Sequence, residues 1–158
     1  KIPPVDNVIK KALDISYAHH IERLMVIGNF MLLLQIRPSD VYKWFLEVIS
    51  IDAYEWVMEP NVYGMSQHSV GDLMMNRPYF SSSNYIMKMS NYNKSDKYEK
   101  IVLDGIEYEW YEIFDALYYN FINCHKEYLK NNYSTANATN LLNKKSQSEN
   151  NQGARFGY

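Results

Sequence analysis

The sequence predicts an all-α fold with one small β-hairpin set into it. Apolar residues recur at helical spacing along most of the chain, and the breaks between those runs fall at Pro, Ser, Asn and Asp. A single stretch, Lys100 to Tyr108, instead places β-forming residues on either side of Asp104-Gly105, a pair that suits a type I′ turn. At 158 residues the chain can bury one sizeable core, and neither an internal repeat nor a domain boundary divides it.

Each element follows from its residues. Val5, Val8, Ile9, Ala12 and Leu13 make an amphipathic helix from Val5 to Ser16 after a Pro-Pro start. Next comes the helix around which the others can be arranged, Ala18 to Leu34. Ile21, Leu24, Met25, Gly28 and Leu32 fall on one side of it, and Val26, Phe30 and Leu33 make the other side apolar too. A helix apolar nearly all round is buried. Its polar residues, His19, His20, Glu22 and Arg23, crowd into the first two turns. Two readings fit them: a Glu22–Arg23 pair with satisfied core histidines, or the wall of an active site.

Pro38 cannot extend that helix, and Ser39 or Asp40 can cap a third, whose stripe is Val41, Trp44, Phe45 and Val48. A short helix from Ile51 to Met58 stops at Pro60. Asn61 to Pro78 reads as a structured, functional loop, too rich in Met and Tyr for disorder. Ser81-Ser82-Ser83 caps a short helix from Asn84 to Met89. After the hairpin a long helix runs from Trp110 to Lys130, burying Trp110, Ile113, Phe114, Leu117, Phe121 and Tyr128. Leu141 and Leu142 anchor one more weak helix, and Gln147 to Tyr158 frays.

Composition narrows the class. Nearly half the residues are hydrophobic, with only 6 Gly and 5 Pro, so the chain is not a disordered one. The 15 tyrosines fit either an AT-rich coding sequence or a surface that stacks on flat ligands. A formal charge of −2 gives no ground for general nucleic-acid affinity, so any such contact needs a local basic strip. The single cysteine, Cys124, excludes an intramolecular disulfide and an all-cysteine metal site, and it suits a reducing compartment; a cytoplasmic protein is expected. No stretch reads as a membrane span, and Lys1-Ile2-Pro3-Pro4 is no signal peptide. The abrupt start without Met reads as the middle of a longer protein.

Common chemical signatures are absent: no G-x-G-x-x-G, P-loop, H-E-x-x-H or nucleophile elbow. His19 and His20 are adjacent on a helix, so their side chains diverge by about 100° and do not chelate one metal together.

Several longer words do carry a resemblance. They are Tyr17-Ala-His-His-Ile-Glu-Arg-Leu-Met-Val-Ile-Gly-Asn-Phe30, Val41-Tyr-Lys-Trp44-Phe-Leu-Glu, Asp52-Ala-Tyr-Glu55-Trp56-Val, Pro60-Asn61-Val-Tyr-Gly64-Met65-Ser66, Arg77-Pro78-Tyr79, Ser83-Asn84-Tyr85-Ile86 and Asp115-Ala-Leu117-Tyr118-Tyr119. In this order and spacing the chain resembles the C-terminal helical domain of cryptochrome/photolyase-related proteins. The subgroup is the prokaryotic (6-4) photolyases, or bacterial cryptochromes with an iron–sulfur cluster. The resemblance implies that residues 1–130 are the distal part of a photolyase-type, FAD-binding helical domain. Residues 131–158 are then a weakly helical to disordered tail.

What the resemblance implies for chemistry is light-driven electron transfer from reduced flavin to a UV-induced (6-4) pyrimidine lesion in DNA. His20, with His19 beside it, matches a histidine that assists proton transfer. Leu24, Met65 and Tyr79 match the lesion pocket, and Arg23, Asp52, Glu55 and Asn61 the polar residues beside the flavin. Trp44 matches an aromatic of the electron-transfer route, next to Phe45 where a tyrosine is common. Arg77 and Lys88 are the candidates for DNA phosphates, with Lys94 and Lys97 beyond them as an ordinary solvated face. The chemistry is consistent: a flavin needs an apolar slot with a few fixed polar groups, an extracted base needs walls that replace stacking, and a histidine suits a general acid near neutral pH.

The family's cluster cysteines are missing. Their places fall near Asn93, Asp96 and Glu112, and Cys124 lies off the pattern, so no iron–sulfur cluster and no other metal is expected. The hairpin stands in the cluster loop. The N-terminal antenna domain and the early part of the flavin domain have no counterpart in this sequence. Two other readings remain open: a cryptochrome-like blue-light sensor without repair, and an inactive truncated helical module.

Overall fold

The computed structural model describes residues 1–49, 62–63, 66–67, 78–131 and 135–142. The expected helix Ile51–Met58, most of the loop from Asn61 to Pro78, and the end of the tail lie outside the described residues.

Helix α1, Pro3–Ile15, begins with a proline at its first position, where a missing N–H costs nothing. Pro4, Val5, Val8 and Ala12 form its buried face, and Ser16, at φ 52°, closes it in the left-handed conformation.

The central helix is not regular. Glu22–Gly28 is wound as a π-helix, followed by α2, Asn29–Leu33. The amide of Asn29 reaches back five residues to the Leu24 carbonyl and three to that of Val26. Leu24, Met25, Ile27, Gly28, Asn29, Leu32 and Leu33 are all buried. Because the segment is apolar on every side, its pattern does not distinguish a regular α-helix from a wider one. The helix is entered at His20, not Ala18, and it ends at Leu34 as expected, but Pro38 is not what closes it. The helix stops well before Pro38: Ile36 N–H donates to Met31 O (3.1 Å) and Gln35 N–H to Leu32 O (2.8 Å), with Gln35 at φ 56°. This is a Schellman closure with glutamine in the place glycine usually takes.

Helix α3, Pro38–Val48, has Arg37 at its N-cap position and no side-chain cap, so neither Ser39 nor Asp40 plays that part. The amides of Asp40 and Val41 return to the Arg37 carbonyl (2.9 and 3.1 Å), which puts Asp40 inside the first turn, where its charge favours the helix dipole. Val41 and Phe45 are buried, while Trp44 and Val48 are half-buried.

Helix α4, Ser83–Met89, has Ser82 at its N-cap, but no serine side chain caps it. The Ser83 amide donates instead to Asp115 Oδ1 (2.8 Å), across from another helix. Strands β1, Ile101–Leu103, and β2, Ile106–Tyr108, pair antiparallel, as expected. Asp104 and Gly105 take φ of 50° and 79°, as a type I′ turn requires.

The long helix is two. α5, Trp110–Cys124, breaks at His125 and α6, Lys126–Leu129, follows. At the break His125 Nδ1 lies 2.9 Å from the Phe121 carbonyl. Glu112 starts α5 by accepting the Glu109 amide (2.8 Å). Trp110, Phe114 and Phe121 are buried, as are Ile122 and Leu129, whereas Tyr128, expected inside, is 43% exposed. Thr135 Oγ1 donates to the Leu129 carbonyl (2.6 Å) ahead of helix α7, residues 136–142.

Two clusters make the core, and the central segment serves both. Leu32 and Leu33 pack with Ile2, Val5, Phe80, Ile86 and the buried face of α5 and α6. Ile27 packs with Val8, Ala12, Ala18, Val41, Phe45, Ile49 and Val62. Among the described residues no helix is long and apolar enough to cross a membrane.

Candidate functional site

The polar end of the central segment is held by α1. Lys11 Nζ donates to Glu22 Oε2 (2.8 Å), and the same oxygen accepts the backbone N–H of His19 (2.8 Å). Glu22 therefore pairs with Lys11, not with Arg23 as the sequence suggested. Burial alone would raise the Glu22 carboxyl, but the hydrogen bonds from Lys11 and the His19 backbone, with the charges of Lys11 and His19, hold it below its ordinary value. The carboxylate thereby fixes the peptide that carries the first histidine.

His19 is exposed, and its Nδ1 accepts the Ile21 backbone N–H (3.2 Å). His20 is half-buried. Burial, then the charge of Arg23 and of His19, lower its pKa below the ordinary imidazole value. The same influences make the His20 imidazolium a readier proton donor than a free one.

One turn on, Gly28 lies under a close cover. A Cβ there would sit 2.4 Å from Ser66 Oγ and 2.8 Å from the Arg23 carbonyl, so only glycine fits. Gln67 Nε2 donates to the Gly28 carbonyl (3.1 Å) and to Ser66 Oγ (2.7 Å). Two buried polar atoms here have no hydrogen-bond partner among the described residues: Arg23 Nε and Gln67 Oε1. A buried donor and acceptor left open cost free energy unless something fills them.

Asn29, only 1% exposed, fixes the next wall. Its Nδ2 donates to the Ser81 carbonyl (2.9 Å) and its Oδ1 accepts the Ser81 N–H (3.0 Å). That bidentate clasp locks the strip bearing half-buried Tyr79 and buried Phe80 against the central helix. Leu24 is buried at the other end of the π segment. Trp44 stands edge-on to Phe45, ring centroids 5.2 Å apart, on α3. Lys88 is exposed in the last turn of α4.

The structure thus brings His19, His20 and Arg23 together, with Glu22 and Lys11 behind them. Trp44 packs against the core cluster that holds Ala18 and Ile27, and Lys88 lies on another helix. Asp52, Glu55, Asn61, Met65 and Arg77 lie outside the described residues. Sequence reasoning passed over Asn29, Gly28, Lys11 and Gln67. A lone amide and a lone glycine inside a fully apolar helix were the signals available for the first two. Behind the Lys11–Glu22 pair, Ile21, Val26, Tyr85, Ile86 and Tyr92 help line a groove of about 290 Å³.

At the positions near which cluster ligands would fall, the side chains serve local hydrogen bonds. Asn93 Nδ2 donates to Asp96 Oδ2 (2.8 Å), and Asn93 Oδ1 accepts the amides of Ser95 and Asp96 (2.8 and 2.9 Å). Glu112 is engaged at the start of α5, and Cys124 is an exposed free thiol. Among the described residues no group of three or more His, Cys, Asp or Glu side chains is arranged to hold a metal ion.

Fold and geometry define a mostly helical protein segment built on one buried, partly π-wound helix with a histidine pair at its mouth. No family model matches the sequence. It is 44% identical over 133 residues, 82% of the chain, to a (6-4) photolyase of Agrobacterium fabrum, of which the match covers 25%. It is 48% identical over 98 residues, 62% of the chain, to an uncharacterized protein of Acanthamoeba polyphaga mimivirus, of which the match covers 69%. The chain is thus similar to part of that photolyase, and it spans about a quarter of its length.

Proposed function

We propose that the chain is the FAD- and DNA-binding portion of a photolyase-like protein that repairs UV-induced (6-4) pyrimidine lesions in light. The observation that carries this reading is the 44% identity to a (6-4) photolyase over most of the chain. The open Arg23 Nε and Gln67 Oε1 support it, as a donor and acceptor suited to a flavin edge. Asp52, Glu55 and Asn61 complete the polar set in this proposal. When bound, the flavin supplies photoexcited electron donation.

The chain's own residues do the rest. Leu24, Met65 and Tyr79 enclose the extracted bases and exclude water. His20 gives a proton from an imidazole nitrogen to the lesion, with His19 beside it. Trp44 offers a route for electrons to the flavin. Arg77 and Lys88 hold phosphates beside the pocket, the contacts that make binding salt-dependent. The antenna domain and the remaining flavin contacts come from other parts of such a protein.

A second reading, a helical module without repair activity, is favoured by the mimivirus match, which covers more than two thirds of that protein. The experiment is a blue-light assay of the whole protein on an oligonucleotide carrying one (6-4) product, with the flavin spectrum recorded alongside. Restored pyrimidines support repair. Bound flavin without restoration points to a sensor, and absence of flavin from the whole protein leaves the inactive module.

A further inference from the structure

Among the described residues β1 and β2 pair only with each other, in the register Ile101–Tyr108, Val102–Glu107 and Leu103–Ile106. The two-residue turn makes Leu103–Ile106 a hydrogen-bonded pair. Val102 and Glu107 are then a non-hydrogen-bonded pair, whose backbone N–H and C=O groups point out of the two sheet edges. Val102 is 62% exposed, and Leu103 and Ile106 are exposed beside it. Unpaired edge groups next to apolar side chains are a template for another strand.

The two edges differ in what they accept. Antiparallel pairing of an edge with its own copy, about a two-fold axis, sets each residue opposite the one equally far beyond the axis. On β1, with the axis at Val102, Val102 meets Val102 and Ile101 meets Leu103. Lys100 meets Asp104 of the second copy, and this happens twice. On β2, with the axis at Glu107, carboxylate meets carboxylate. Within one hairpin Lys100 Nζ already lies 3.2 Å from Glu107 Oε2, so in a pair it would stand between two carboxylates.

We propose that β1 is a self-complementary docking edge through which two copies of this chain join in a four-stranded antiparallel sheet. The occupant is a second copy because the charge pattern of the edge complements itself: cation, apolar triplet, anion.

Sedimentation velocity of the 158-residue chain, from micromolar to near-millimolar concentration, tests this. A monomer–dimer equilibrium obeying mass action is expected. Val102→Pro removes the outward N–H and spares the hairpin's own bonds, so it should weaken the dimer by roughly tenfold or more. Lys100→Glu and Asp104→Lys should each be monomeric alone, and an equimolar mixture of the two should dimerise, because each charge then meets its opposite. Amide NMR spectra report whether the hairpin survives in each variant, and the mixture decides the matter if Val102→Pro loses it. A chain monomeric at every concentration, a dimer untouched by Val102→Pro with the hairpin intact, or a mixture that stays monomeric would overturn the proposal.

Discussion

The central π/α2 segment and the hairpin are held in opposite ways. Between Glu22 and Leu33 the backbone takes its shape from groups far along the chain: Lys11 on Glu22, Gln67 on Gly28, the Ser81 peptide on Asn29. The hairpin is held by its own turn, with Asp104 and Gly105 at positive φ and a neighbouring Lys100–Glu107 pair. One region is specified by tertiary contact and the other by local chemistry. The first therefore carries a constellation whose members cannot move independently, and the second touches the core through Ile101 while its turn can vary.

Substitutions can break that contrast. The largest effect is expected at the mouth of the central segment. In the whole protein, His20→Ala should lower blue-light repair on the order of 10²–10⁴-fold if His20 is a general acid, with flavin content unchanged. Equal repair by variant and parent under saturating light would return His20 to a structural role.

Next comes the clasp. Asn29→Ala leaves the half-buried Ser81 N–H and C=O without their side-chain partner, so urea unfolding should show a loss of about 1–3 kcal/mol. Gly105→Ala tests the other side of the contrast. With φ at 79° the new side chain is strained, but the cost should stay near 1 kcal/mol and repair should not change. If Gly105→Ala destabilises more than Asn29→Ala, the contrast between the regions fails.

The smallest effect is electrostatic. Removing the Arg23 charge by Arg23→Gln should move the His20 pKa part of the way back up, read from its imidazole proton shifts by NMR. The sign of the linkage follows from the same depression. Between the lowered folded pKa and the ordinary value of about 6.5 the unfolded chain binds more protons at His20, so this contribution to stability is complete above that window and declines as pH falls through it. A His20 pKa unmoved by Arg23→Gln would leave burial and the charge of His19 as the causes.

What the sequence revealed follows the same division. The hairpin could be read residue by residue, because Asp104-Gly105 between β-formers needs no distant partner. Helix α1 was legible for the same reason, from its Pro-Pro start and apolar spacing, although Leu13, expected in the stripe, is 65% exposed. The π winding was not, because periodicity carries no information where every side is apolar. The Glu22 partner was missed because Arg23 is next in sequence while Lys11 is next in space. Ser82 and Ser83 looked like sufficient caps, yet the donor they left open is met by Asp115, thirty-two positions on. His19, His20 and Arg23 were found together because they occupy one helix end; Gln67 is joined to them only by tertiary packing.

That cap has a bearing on the order of assembly. Helix α5 begins with its own signal, the Glu112 carboxylate on the Glu109 amide, so it can start to wind before anything docks. Helix α4 borrows its first acceptor from Asp115 on α5 and has no such head start. The rate-limiting ensemble should then contain α5 but not a settled α4. Asp115→Ala is expected to speed unfolding and leave the refolding rate almost unchanged, as stopped-flow kinetics in urea would reveal. One carboxylate makes the shorter helix a latecomer, its formation timed by its neighbour.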